Sequence, residues 1–171
     1  MAVLLLAAVS PVRADSDNRA PAVPATLQVP DGNKVEFHAY AIGVQIYVCQ
    51  NISTTETPQY AWVFKAPEAV LYDSDQNPVG IHYAGPTWES ESGSKVVGTR
   101  LAGATVDPTA IPWLLLAAKS TVGPGPFADA TYVQRVNTAG GLAPATGADA
   151  DHLGQQARVP YTAEYFFYRE K

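Results

Sequence analysis

Val35-Glu36-Phe37-His38-Ala39-Tyr40-Ala41, then Ile42-Gly43, then Val44-Gln45-Ile46-Tyr47-Val48-Cys49, is the stretch that decides the fold class. Val35, Phe37, Ala39 and Ala41 alternate with Glu36, His38 and Tyr40, while Val44, Ile46 and Val48 alternate with Gln45, Tyr47 and Cys49. A period of two puts successive side chains on opposite faces of an extended chain, so the stretch is β. The apolar phase changes across Gly43. That predicts a half-buried pair of strands, or one long bent strand with a bulge at the glycine.

The same pattern continues on either side. Asn51 to Pro58 reads as a loop and contains the Asn51-Ile52-Ser53 sequon, which matters only in a eukaryotic secretory route. Tyr60 to Phe64 and Ala69 to Tyr72 read as strands. Asp73 to Pro78 is a polar turn, and Val79 to Tyr83 is the returning strand. Glu91 to Ser94 is a turn before a strand at Lys95 to Thr99, and Ala130 to Val136 and Tyr161 to Tyr168 are later strands. Ile111 to Ser120 has two readings. Pro112 at a first helical position followed by Leu114, Leu115, Ala117 and Ala118 suits one short helix, but a buried strand has similar composition. Short β segments, close turns and almost no helix predict an all-β protein: an antiparallel β-sandwich or small β-barrel with one short helix. No repeat or linker divides the chain, so residues 26–171 are expected to form one β domain.

The N-terminus reads differently. Ala2 to Val9 is an apolar run, broken by Ser10-Pro11 and followed by Val12-Arg13-Ala14. An apolar core with a small-residue site behind it is the pattern of a signal peptide, here residues 1–14, and the run is too short to span a membrane. The basic n-region is missing, which points to a truncated or misplaced start. The Pro-rich Asp15 to Ala25 is expected to be a flexible leader, and the protein to be secreted or periplasmic.

Composition removes several function classes. About half of the 171 residues are apolar (47 %) and 16 % are charged, which excludes an intrinsically disordered chain. The formal net charge is −5 and the pI about 5.0, the wrong sign for displacing counterions from nucleic acid. A single cysteine, Cys49, excludes an internal disulfide, a C-x-x-C redox pair and a cysteine-rich zinc site. It reads as a small buried hydrophobe. No G-x-S-x-G elbow, H-E-x-x-H or P-loop is present, and no cofactor motif, so no cofactor is expected.

The residues that carry chemistry concentrate in one stretch. His82, Tyr83, Trp88 and Glu89 flank Gly85-Pro86, a turn that can bring imidazole, phenol, indole and carboxylate to one mouth. His82 and Glu89 are the candidate acid/base pair, and a Trp at an open cleft suits a small ligand or sugar. The plainer alternative has Trp88 and Tyr83 plugging the core while His82 and Glu89 bond to turn backbone. His38 and Tyr40 share a strand face with Glu36. A lumen-facing His38 would join His82, although a hydrogen-bonded structural role is simpler and no metal is expected. Arg135, with Asn137 on the same face opposite Val136, is notable in a chain poor in cations. It would either neutralise a carboxylate such as Glu89 or Glu164, or clamp an anionic ligand. His152, in a polar loop, reads as solvent-exposed.

Six segments taken in order carry a family resemblance. They are His38 to Cys49, Gly80 to Glu89, Gly93 to Gly98, Ile111 to Leu114, Tyr132-Val133-Gln134-Arg135-Val136-Asn137-Thr138-Ala139-Gly140-Gly141, and Val159 to Tyr168. From about Leu27 to Tyr168 the chain resembles the DUF3455 family of secreted bacterial and fungal proteins, which has no established activity. Some relatives carry a malate dehydrogenase label. This chain gives it no support, having neither a G-x-G-x-x-G turn nor a βαβ pattern. The resemblance also implies a second cysteine where this chain has Ala148. Pairing of that cysteine with the one matching Cys49 would mean that a disulfide is lost here. Two functional readings follow. The first is a secreted β domain binding a small molecule or surface glycan. The second is a cofactor-free or metal-assisted enzyme using His82 and Glu89.

Overall fold

A computed structural model describes residues 19–171. The proposed signal run and the first part of the leader lie outside the described residues. Eight antiparallel strands close into one barrel, in chain order all the way round. They are β1 (Asn33–Asn51), β2 (Tyr60–Tyr72), β3 (Pro78–Tyr83), β4 (Thr87–Ser90), β5 (Lys95–Ala104), β6 (Trp113–Val122), β7 (Tyr132–Gly140) and β8 (Gln156–Glu170). β1 pairs with β8 from Asn33↔Glu170 to Val48↔Gln156, which closes the ring. Among the described residues the only other regular pieces are 3₁₀ turns at Ala25–Leu27 and Ala150–His152, and no helix is long and apolar enough to cross a membrane. With every strand pair antiparallel, a doubly wound dinucleotide fold is excluded.

Of the two readings of Ile111 to Ser120, the strand is what forms: the expected short helix is β6. Leu114, Leu115, Leu116 and Ala117 pair with Arg135, Gln134, Val133 and Tyr132 of β7. Helix propensity is worth only tenths of a kcal/mol per residue, and the ladders to β5 and β7 override it. Gly43 is also not a bulge. β1 is one strand with its register unbroken there, and the irregularities fall at Val35/Phe37 against β8 and Ile46/Tyr47 against β2. Glycine is required for another reason. A Cβ at position 43 would sit 2.1 Å from the Glu68 carbonyl oxygen and 2.5 Å from Ala69 Cα. Only a bare backbone lets β1 and β2 approach so closely.

From Phe37 onward, past the irregularity at Val35/Phe37, the odd-numbered positions of β1 therefore face inward on both sides of Gly43. Ala39 and Ala41 join the interior cluster with Leu71, Trp88, Leu116, Val133, Tyr165 and Phe167. A smaller cluster, Val35, Val136, Phe166 and Tyr168, lies outside the barrel wall, with Val23 and Val29 of the preceding segment packed against it. That segment is pinned where buried Gln134 donates to the Leu27 carbonyl (2.6 Å) and accepts from Tyr168 Oη (2.5 Å).

The two ends of the barrel differ. At the end carrying the β2–β3, β4–β5 and β6–β7 connections, Phe127 drops from its loop into the interior. Its ring meets Phe37 at 5.5 Å and Phe167 at 4.4 Å, and its backbone N–H donates to Ser94 Oγ. These rings plug that end. At the other end the β5–β6 and β7–β8 connections fold partly across the opening. Tyr47 Oη donates to the Gly141 carbonyl at 2.6 Å, and Thr138 Oγ1 to the Ile111 carbonyl at 2.6 Å. β3 and β4 are short, so β2 between Tyr60 and Glu68 pairs with β1 alone. The opening left there leads inward.

Candidate functional site

The β3–β4 hairpin sets the floor of that opening. Its loop is Ala84-Gly85-Pro86, with Gly85 at φ 128°, a conformation that glycine tolerates best. A Cβ on Gly85 would lie 2.6 Å from Thr87 Oγ1, the hydroxyl that donates to the Ala84 carbonyl and holds the turn. The turn makes His82 and Trp88 direct cross-strand partners, and both point into the lumen. Their rings stack at 4.5 Å and 7°. Tyr165 of β8 meets both edge-on, at 5.1 Å and 5.3 Å.

His82 is buried, and its Nδ1 lies 2.8 Å from the Thr87 carbonyl oxygen. A carbonyl only accepts, so Nδ1 carries the proton and Nε2 is the acceptor edge of the ring. Burial pushes the imidazole down to about 3; the Thr87 carbonyl opposes that shift and the Arg135 charge adds to it. His82 is neutral at physiological pH. Tyr165 and Tyr161 are held well above the ordinary phenol value by desolvation, Tyr165 with partial relief from Arg135. Neither is an anion or a ready proton donor.

Above this floor lies a cavity of about 300 Å³. Its apolar wall is Trp88, Leu114, Leu116 and Phe64, and Arg135, Arg100 and Lys65 line it as well. Arg135 is half-buried, while Arg100 and Lys65 are exposed at the rim. Arg135 donates from Nε (3.1 Å) and Nη2 (2.8 Å) to the Pro112 carbonyl, which fixes the guanidinium against the start of β6.

The eight candidate residues from the sequence separate into three groups. His82, Trp88 and Arg135 share the cavity. Tyr83 and Glu89 are on the other face of the same hairpin, where Tyr83 Oη donates to Glu89 Oε2 (2.9 Å) and Lys95 Nζ pairs with it (3.1 Å). Those bonds hold the Glu89 carboxyl below its ordinary range. His82 and Glu89 therefore form no acid/base pair. His38, Tyr40 and Asn137 make up the third group, also outside the barrel. His38 Nε2 and Asn137 Nδ2 bond Glu164 at 2.9 Å and 3.0 Å, and the His38 ring stacks on Phe166 at 4.0 Å. A bulge between Val136 and Ala139, with Asn137 at φ 49°, turns Asn137 away from the face of Arg135. Neither Glu89 nor Glu164 reaches Arg135, so the expected structural ion pair does not form. His38 and His82 are on opposite sides of the barrel wall, and among the described residues no group of three or more His, Cys, Asp or Glu could hold a metal. His152 is partly exposed and bonds Asp149 at 2.6 Å.

Sequence reasoning missed Lys65, Arg100, Leu114 and Tyr165 as cavity residues. Each reaches the lumen from a different strand, so only the barrel register joins them. No match was found for the chain among curated proteins or among solved structures. The sequence from residue 30 to residue 169 does match one family, and the chain belongs to DUF3455, described as a protein of unknown function.

Proposed function

We propose that this protein is a binding protein that takes a small molecule into the open end of its barrel. The observation that carries this reading is the cavity itself: about 300 Å³, floored by the His82–Trp88–Tyr165 ring cluster and open at one end of an otherwise filled barrel. An eight-stranded barrel has room for its own side chains or for one small ligand, and this volume is at the low end for ligand pockets. A surface glycan is less well supported. Trp88 is 1 % exposed with His82 over one face, so it offers no open indole plane for a sugar. An enzymatic reading has less support too, because the neutral His82 has no carboxylate partner. Export to the periplasm or outside the cell is part of the proposal, resting on the Ala2 to Val9 run, and N-terminal sequencing of the exported protein checks it.

The test is a screen of small phenolics, short-chain acids, lipids and oligosaccharides. It is read by thermal shift and by fluorescence of a Trp62→Phe, Trp113→Phe variant that keeps Trp88. Small molecules should raise Tm and perturb Trp88. Leu116→Ala should weaken binding roughly tenfold or more, while Tyr40→Ala on the outer face should leave it unchanged. Binding by oligosaccharides alone, or loss of binding on Tyr40→Ala, would move the site to the outer surface.

A further inference from the structure

The charges around the cavity say more about its occupant. We infer, building on the lumen-binding reading above, that the ligand is a small organic carboxylate: an apolar, ring-sized body carrying its acid group toward Arg135, Arg100 and Lys65. The chain holds 16 acidic and 11 basic residues, so an unbiased pocket would be acidic. This one is lined by three cations and, among the described residues, by no Asp or Glu.

Three cations elsewhere are used differently. Lys95, Arg158 and Arg169 pair with Glu89, Glu68 and Glu36 on the outer surface. Arg135 is held by the Pro112 carbonyl and the Tyr165 hydroxyl, both neutral, and among the described residues it pairs with no carboxylate. Keeping a half-buried guanidinium without a counter-charge is costly, and an anion offsets that cost. Arg100 is accommodated by Gly103, where a Cβ would lie 2.4 Å from its Nη2. The glycine leaves the guanidinium room at the rim. Donors and positive charge on one side, and Trp88, Leu114 and Leu116 on the other, suit an acid with an apolar body. Inorganic phosphate would leave the apolar wall unfilled.

The test compares benzoate and cinnamate with benzamide and cinnamamide, and with inorganic phosphate. Binding is measured by calorimetry and by Trp88 fluorescence. The acids should bind at least roughly tenfold tighter than the amides, with the difference shrinking as salt rises. Arg135→Gln should reduce the acid-over-amide preference to about twofold or less, leaving amide affinity unchanged. Should Arg135→Gln fail to fold through loss of its Pro112 bonds, Arg100→Gln, exposed at the rim, should lower the preference severalfold. Equal binding of acids and amides, or a preference that survives both substitutions, overturns the anion inference but keeps the lumen reading. Phosphate binding as tightly as benzoate overturns the apolar body. If no compound of either charge binds or perturbs Trp88, the lumen reading falls as well.

Discussion

His82 is the residue whose chemistry is most altered by its position. In the unfolded chain its pKa is near 6.5, and in the barrel it is about 3. Unfolding therefore takes up a proton between those values. The neutral ring's contribution is complete above about pH 6.5 and drains away as the pH falls toward 3. By pH 5 the linkage relation gives a loss of about 2 kcal/mol. Down to pH 5 this loss comes before Glu89, Asp73 and Asp149 titrate, since all three are held below their ordinary values. Urea denaturation at intervals from pH 7.5 to 5 should show the decline, and His82→Gln, which keeps a donor for Thr87, should flatten it. An unchanged slope in the variant would assign the effect elsewhere. Cys49 offers a second test at this scale. It is fully buried, with Sγ 3.5 Å from the Asp149 carbonyl, next to the Ala148 position where the family resemblance implies a second cysteine. Ala148→Cys should oxidise to a Cys49 disulfide. Closing a loop of roughly 100 residues should raise stability by up to about 4–5 kcal/mol in the chain-entropy model. Two titratable thiols in the folded, air-oxidised variant would sink the prediction.

At the scale of elements, β1 and β5 depend on glycines in the strand interior, where glycine is otherwise a poor choice. A Cβ at Gly43 meets backbone of β2. One at Gly98 meets Leu116 Cδ2 and Trp88 Cζ3, both at 3.1 Å, which are side-chain atoms able to give slightly. The two should therefore respond unequally. Gly43→Ala should cost about 3 kcal/mol or prevent folding, and Gly98→Ala about 1 kcal/mol with a shift in Trp88 emission. Denaturant midpoints compare them directly, and a reversed ranking would show that the β1–β2 approach is slack. These elements also show what the sequence makes legible. The period of two in β1 identified the strand, but its apparent phase change at Gly43 misled. The inward positions after it, Gln45 and Tyr47, are polar or amphipathic residues lining the loop-covered end. Leu114 to Ala118 could not be assigned from composition, since a strand buried by neighbours on both sides carries the same run of apolar residues as a helix.

At the scale of the whole molecule, part of the site was legible and the rest depends on closure. A hairpin with three loop residues, 84–86, makes 82 partner 88 and 81 partner 89. From that count alone His82 and Trp88 share a face while Glu89 takes the other, so the split of this cluster was within reach of the sequence. Arg100 and Tyr165 were not, because their place in the same lumen depends on the β5–β6 register and on the β1–β8 seam. The seam joins the chain's first strand to its last. It is the longest-range pairing in the barrel, and its loop-closure cost falls late. Folding should therefore take milliseconds to seconds, and stopped-flow Trp fluorescence measures this. A chain ending at Gln155 loses β8 and with it Tyr161, Tyr165 and Phe167 from the interior. It also exposes the edges of β1 and β7 along their length, and such edges recruit other chains. Size exclusion and far-UV dichroism should find that truncated chain aggregated, without a cooperative melt. A monomer with native dichroism would show instead that the first seven strands hold their curvature unaided and that β8 fills the barrel without closing it.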